Sequence, residues 1–431
     1  MKRVLIITYY WPPSGGVGVH RCLKFAKYLR DFGWEPIIYT ASNAQYPVFD
    51  YSNEKEIPQN IEILKYPIWE PYNLFRKASG RKSTESANPM YVRDKKQSLI
   101  DKFSIWLRGN FFIPDARCFW INPSVKFLSN YLNNNSVDAI LTDGPPHTNT
   151  RIGYLLSKKF NIPWLADFQD PWTQVDYYKM LKTTWWADWR HKRMEKQVFQ
   201  QARKITIASP TWAKDLERIG ATDVSPIFWG YDETDFDAAV EGENERFSIV
   251  HAGLLGFDRS PDVFLSVLRE LKNEIPGFAE KLQLDFAGQV DYSIKALIHE
   301  NDLDNNFKEH GNINRAKAIE LTRKAAILLL PLNKADNAKG RIPGKLFECI
   351  RARKPILCLG ISGSDVSKII EETKSGVSLD FDDYEQIKMY ITERFKLFKI
   401  QANILPEANY EKYKVRNQVK SVAKYLNEIT S

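Results

Sequence analysis

Lys345 and Glu348 stand three residues apart in the stretch GRIPGKLFECIRARKPILCLG (340–360). On a helix predicted over 343–353 this spacing sets the two opposite charges on one face. Leu346, Phe347 and Ile350 fall together and mark the buried side. Lys345 then lies in the first helical turn, where a cation opposes the macrodipole. That placement gains a use when an anion binds there. The ammonium and the first-turn N–H groups together can neutralise a diphosphate, and Glu348, one turn further, can accept hydrogen bonds from both hydroxyls of a ribose. A surface ion pair worth under about 1 kcal/mol is the plain alternative. It leaves unexplained the glycine-bearing loop 333–342. It also leaves unexplained the position at the carboxyl end of the predicted strand AAILLLPL (325–332), the end at which open parallel sheets bind ligands.

A second glycine-bearing turn, WPPSGGVGVHR (11–21), follows the first apolar run and opens a helix. Free N–H groups at such a turn suit a phosphate. A dinucleotide site fits poorly: Arg21 stands where G-x-G-x-x-G needs its third glycine, and the next strand ends IIYTAS without an acid for a ribose. Two readings remain. Either the glycines serve chain geometry, or the loop around Gly16 approaches a diphosphate or sugar across a cleft.

Three further side chains are candidates in this half. DGPPHTNTR sets His147 at a helix start after a strand, and DFQDPW sets Asp167 and Asp170 after the next one. His147 or Asp170 is suited to orient an acceptor hydroxyl or act as its base; a structural His and a helix-capping Asp before Pro171 are the alternatives. Arg21 either reaches the same cleft or lies on a solvated helix face.

The elements that must position these residues are legible as apolar runs. VLIITYY (4–10) is continuous, as in a parallel strand covered on both faces. Val19, Cys22, Leu23, Ala26 and Leu29 follow at helical spacing. Strands are predicted at 35–40, 61–66, 139–143, 163–168 and 204–209, with helical stretches between most of them. A second series runs through 247–253, 282–288, 325–332, 355–360 and 376–381. Alternation of this kind predicts an α/β protein of two Rossmann-like, doubly wound domains facing across a cleft. The first domain spans 1–228, a polar and acidic linker 229–245, and the second domain 246–410. Residues 67–125, rich in aromatics and bases, read as an insertion in the first domain. The helical segment 411–431 is expected to pack back on it.

With 431 residues, 43% hydrophobic and 26% charged, the chain is globular and long enough for two cores. Its longest apolar runs fall short of a membrane span. The start MKRVLIITYY reads as a buried strand and not as a signal peptide, so a cytoplasmic protein is expected. Cys22, Cys118, Cys349 and Cys358 are scattered without C-x-x-C and read as reduced. The net charge of +8 favours anionic partners. Trp185, Trp186 and Trp189 interleave with Arg190, Lys192 and Arg193 in 183–204. With the insertion they suit an anionic bilayer; nucleic acid and a merely solvated basic face are the alternatives, and nucleic acid is not the expected partner. Two D-x-D strings, Asp302/Asp304 and Asp380/Asp382, read as acidic turns. No His/Cys spacing suits zinc, and no metal or other cofactor is expected.

The stretch IPGKLFECIRARKPIL resembles the nucleotide-sugar motif of GT-B fold glycosyltransferases, in particular family 4-like members of bacterial polysaccharide pathways. The resemblance extends over most of the chain. ITYYWPPSGGVGVHRCLKFAKYLRDFGWEP is similar to the family's opening strand, glycine loop and helix. LTDGPPHTNTRIGYLLSKKFNIPWLADFQDPW resembles a mid-domain signature. HAGLLGFDRSPDVFLSVLREL resembles the first strand–loop–helix of the donor domain, and HGNINRAKAIELTRKAAILLLPL the segment before the donor motif.

The resemblance implies that Lys345 contacts a donor diphosphate, that Glu348 holds the ribose, and that Arg259, after Gly253 and Gly256, meets the phosphates. It implies retention at the anomeric carbon and an acceptor that is a glycan or lipid-linked glycan at the inner membrane face. The family's earlier glutamate, in an E-x7-E pair, corresponds to Gly340, so that pattern is broken here. An NDP-sugar epimerase of the same fold, or a non-catalytic sugar-nucleotide or glycan-binding protein, would use the same grip.

Overall fold

The structure, a computed structural model, describes residues 1–70, 99–237, 245–335, 337–403, 405 and 408–431. These form two compact units. One comprises the described residues of 1–229 with 415–431, and the other those of 230–414.

The first unit is built on seven parallel strands. They are β1 (Lys2–Ile7), β2 (Trp34–Ala41), β3 (Glu62–Tyr66), β4 (Ala139–Gly144), β5 (Trp164–Phe168), β6 (Lys204–Ile207) and β7 (Val224–Pro226), in the order β3-β2-β1-β4-β5-β6-β7. Val4 to Ile7 are wholly buried because the sheet is covered on both faces. Leu5 and Ile7 join one core with Ile140 and Trp164. Val4 and Ile6 point the other way, into a core shared with Leu23, Leu141 and Leu165. The helix Val415–Ile429 closes that second face through Val419, Val422 and Leu426.

Of the stretch 67–125, residues 71–98 lie outside the described part. The helix Leu99–Phe111 follows. The end of the stretch is core and not an appendage: Trp120 is buried and stacks on Tyr39 at 5.0 Å between ring centroids. Arg117 sits over the Tyr9 ring and pairs with buried Glu70.

The second unit has six parallel strands in the order β10-β9-β8-β11-β12-β13. They are β8 (Phe247–Ala252), β9 (Leu282–Ala287), β10 (Phe307–Gly311), β11 (Ile327–Pro331), β12 (Ile356–Leu359) and β13 (Gly376–Leu379). Its core gathers Phe247, Phe264, Leu284, Phe286, Leu329 and Leu357. In both sheets the order reverses beside the first strand of the unit, β1 in one and β8 in the other. The crevice opened there, at the carboxyl ends of β8 and β11, is the ligand position of doubly wound sheets. Two strands, β7 and β10, were not expected from sequence. Among the described residues, no helix is long and apolar enough to cross a membrane.

Candidate functional site

In the second unit, β8 ends in a backbone fixed by two glycines. Gly253 has φ 124° and donates its N–H to Ala287 O at 2.7 Å; Gly288, after β9, has φ 109°. A Cβ on Gly288 would lie 2.5 Å from Gly253 O, and one on Gly253 would lie 3.3 Å from Lys345 Nζ. The turn is therefore closed to larger residues, and it sets bare backbone against an ammonium.

Lys345 is the first residue of the helix Lys345–Ala352, which follows β11 through the loop 332–344. Leu346, Phe347 and Ile350 are buried and hold the helix on the sheet. Gly344 supplies no side-chain cap. The first-turn N–H groups of Leu346 and Phe347 already bond Pro343 O and Gly344 O. They are thus not the free donors that the sequence suggested, and the weight of anion binding falls on the side chains.

Lys345 Nζ lies 3.1 Å from Nε2 of His251, which is fully buried in β8. The other ring nitrogen, Nδ1, lies 3.0 Å from Leu329 O. A carbonyl only accepts, so Nδ1 carries the proton and Nε2 accepts from Lys345. Burial, then the nearby Arg259 charge, lowers the Lys345 pKa to about 7. Burial and the Lys345 charge push His251 well below the usual imidazole range. Arg259 ends the short 3-10 turn Phe257–Arg259 and bonds Asp258 at 3.1 Å. Lys345 has no carboxylate partner among the described residues. It is a charge held in poor solvation, and an incoming anion would relieve that.

Glu348 does not pair with Lys345. Its Oε1 lies 2.8 Å from an Arg315 nitrogen, and Arg315 also bonds Asp235 at 2.8 Å. The Glu348 side chain is 26% exposed, which leaves it within reach of a ligand hydroxyl. Gly340 closes a 3-10 turn, Ala338–Gly340. His251 and Arg315 were not foreseen from sequence. A histidine inside the apolar run SIVHAG was the one available signal for His251, and Arg315 offered none.

The first-unit candidates divide. Gly16 is the N-cap of the helix Val17–Tyr28, with φ 82° and open space where a Cβ would point. Arg21 does not face a groove. It is buried, clasps Asp167 through two nitrogens (Nη2 to Oδ1, 2.7 Å), and donates Nη1 to Ile227 O at 3.0 Å. Asp167 accepts in addition from Thr206, while Asp143 accepts from Thr8 and Gln169. Burial, then the Asp167 charge, raises Asp143 to about 7.

His147 begins the helix His147–Phe160, but it too is buried. Its ring stacks on Trp172 at 4.3 Å between centroids and 2° between planes, and neither ring nitrogen has a hydrogen-bond partner among the described residues. Burial and the neighbouring His191 lower its pKa to about 3. The same burial that packs the ring against Trp172 disfavours its protonated form. Asp170 is half-buried in the bend after β5. It caps no helix, since the next one, Asp176–Met180, has Val175 at its N-cap.

Asp302, Asp304 and Asp380 are engaged with Lys272, His299 and the Ser362 N–H respectively. Among the described residues, no group of three or more His, Cys, Asp or Glu could hold a metal.

No family model matches the chain, and no curated protein matches it by sequence. Solved structures do match along its whole length. HepE of Anabaena, solved with UDP and glucose, is 12% identical with a TM-score of 0.58, over 100% of this chain and 97% of that one. WaaG, a glycosyltransferase involved in lipopolysaccharide biosynthesis, is 13% identical with a TM-score of 0.53, over 98% and 95%. UDP-GlcNAc 2-epimerase of Methanocaldococcus jannaschii is 9% identical with a TM-score of 0.53, over 99% and 100%. The shared feature is the GT-B fold, two Rossmann-like parallel-sheet units, as the sequence led one to expect.

Proposed function

We propose that the chain is a glycosyltransferase using a nucleoside-diphosphate sugar. The unit 230–414 holds the donor. The other unit holds the acceptor, a glycan or lipid-linked glycan of a cell-surface polysaccharide, at the cytoplasmic face of a membrane. One observation carries this reading. Lys345 stands against the bare backbone of Gly253, at the carboxyl ends of β8 and β11, with Arg259 near and no carboxylate paired with it among the described residues. HepE, solved with UDP and glucose, and the UDP-GlcNAc 2-epimerase support a nucleotide ligand for such a fold.

In the proposed reaction the bond between the anomeric carbon and the diphosphate oxygen breaks, and its electron pair leaves with the diphosphate. Lys345 and Arg259 offset that charge as it develops. The acceptor oxygen bonds the anomeric carbon and passes its proton to the departing diphosphate oxygen. Asp170 is the proposed group that orients the acceptor hydroxyl, and the open helix start at Gly16 is a second proposed point of donor contact. The Glu348 carboxylate accepts from the ribose. Retention of configuration and independence of a metal complete the proposal.

A thermal-shift screen of UDP-, GDP-, ADP- and TDP-sugars tests it. One nucleotide class should raise the melting temperature, and Lys345→Ala should remove that shift; no response to any of them defeats the reading. The epimerase neighbour supports a second reading. Incubation with donor alone separates the two, since an epimerised nucleotide sugar in place of glycosyl transfer would favour the epimerase. Unchanged turnover in EDTA is expected.

A further inference from the structure

The helix Trp185–Gln201 turns its indoles away from the core. Ala187, His191, Glu195, Val198 and Phe199 are its buried residues, at i, i+4, i+8, i+11 and i+12, and they define the inward face. Trp185, Trp189 and Arg193, at i, i+4 and i+8, run along the opposite side with Trp186 beside them. Trp185 is 80% exposed, Trp186 44% and Trp189 48%. An outward face made of three indoles exceeds the scatter of single exposed apolar residues normal on a protein surface.

Two further features give that face a chemistry. Arg190 lies over the Trp186 ring at 5.0 Å, and Arg193 over the Trp189 ring at 5.2 Å. Between Lys179 and Lys196 the chain carries six Lys and Arg against two acids, and one of the two, Glu195, is buried. The helix start is also held firmly. Asn110, from the helix Leu99–Phe111, accepts from the Thr184 N–H at 2.6 Å and donates to Lys182 O at 3.3 Å. Phe111, next to Asn110 in sequence, is exposed as well.

We propose that this face docks on an anionic phospholipid bilayer. The indoles enter the interfacial layer, and Arg190 and Arg193 turn from their rings to the lipid phosphates. Single-stranded nucleic acid would instead need a basic groove tracking its backbone, whereas these side chains occupy one outward helix face. The inference deepens the membrane side of the proposed function by naming the surface. It stands on surface chemistry and not on the donor site.

The test uses the full chain without nucleotide and vesicles of phosphatidylcholine, with or without phosphatidylglycerol. Cosedimentation with the anionic vesicles is expected, with a blue shift of indole emission and its quenching by brominated acyl chains. The combined variant Trp185→Ala, Trp186→Ala, Trp189→Ala should lower partitioning by about tenfold or more with an unchanged melting temperature. Arg190→Glu with Arg193→Glu should abolish the preference for anionic over neutral vesicles. The proposal is overturned if the full chain ignores both vesicle types, or if the tryptophan variant binds as well as the parent. It is also overturned if light scattering shows a dimer that this variant dissolves, or if an oligonucleotide binds the face and displaces the vesicles. None of these outcomes touches the nucleotide thermal shift, so failure here and failure of the donor site are separable.

Discussion

Lys345 donates to His251, and Leu329 fixes the direction of that bond. The carbonyl of Leu329 claims the Nδ1 proton of the ring, so the nitrogen that faces the ammonium at 3.1 Å is a lone pair. A neutral imidazole therefore holds the ammonium in place without cancelling its charge. A carboxylate there would compete with an anionic ligand, and the imidazole does not.

Donor binding should take up a proton. The unliganded Lys345 titrates at about 7 against an ordinary 10.5. A bound diphosphate favours the charged form and raises that value. Above pH 7 the free protein is largely deprotonated at Lys345 and the complex is protonated, so affinity falls as pH rises through and beyond 7. Below 7 both states hold the proton and affinity levels off. Calorimetry at about pH 8 in buffers of different ionisation enthalpy should read an uptake approaching one proton. Lys345→Arg, which stays charged throughout, should remove it. A buffer-independent enthalpy in the parent protein contradicts the proton-uptake account.

His251→Phe removes the acceptor while filling the space. Lys345 loses its anchor, and donor affinity should fall about tenfold, roughly 1.4 kcal/mol. A double-mutant cycle is the decisive measurement. Lys345→Ala should cost less in the His251→Phe background than in the parent, because the two residues act through one interaction. Strict additivity would mean that the histidine is only a packing residue.

Lys345 and Glu348 should separate by ligand. Glu348→Gln removes the charge that accepts a ribose hydroxyl and should weaken a nucleoside diphosphate by about tenfold while leaving inorganic pyrophosphate unaffected. Lys345→Ala should weaken both. Equal loss of pyrophosphate binding in Glu348→Gln would show that the carboxylate acts through Arg315, its present partner at 2.8 Å, and not on the sugar.

The contrast between these residues explains what sequence could reveal. Lys345 and Glu348 are local, three apart on one helix, and the strands beside them are continuous apolar runs that a two-faced sheet requires. His251 acquires its meaning only when β8 lies beside β11, which brings it to a carbonyl 78 residues away and a lysine 94 residues away. Strands β7 and β10 were illegible for another reason. They are sheet edges, and VSP and FKEHG carry none of the apolar continuity that marks interior strands. Arg21 was placed on a solvated face or in a groove because its partner Asp167 is 146 residues away.

Arg21→Met tests that buried pair. The substitution keeps bulk but leaves Asp167 charged beside Asp143 without its cation. Breaking a buried pair from one side costs about 3–5 kcal/mol, so the unfolding transition of the first unit should move sharply down. Arg21→Met with Asp167→Asn should recover part of the loss. Donor binding by the second unit should persist in both variants. A fall of under about 1 kcal/mol would mean that the guanidinium is solvated.

His147 makes the last prediction, and its sign distinguishes packing from chemistry. The ring is buried, parallel to Trp172, and has two nitrogens without partners among the described residues. Exchanging such a polar ring for an apolar one of similar shape is neutral or stabilising, because no hydrogen bond is lost and less desolvation is carried. His147→Phe should therefore match or exceed the parent in thermal stability and retain most of its turnover. His147→Ala should lose about 2–4 kcal/mol to the cavity beneath Trp172. If instead His147→Phe folds as well as the parent but loses transfer activity by orders of magnitude, one of those unpaired nitrogens meets the substrate, and the histidine returns to the reaction.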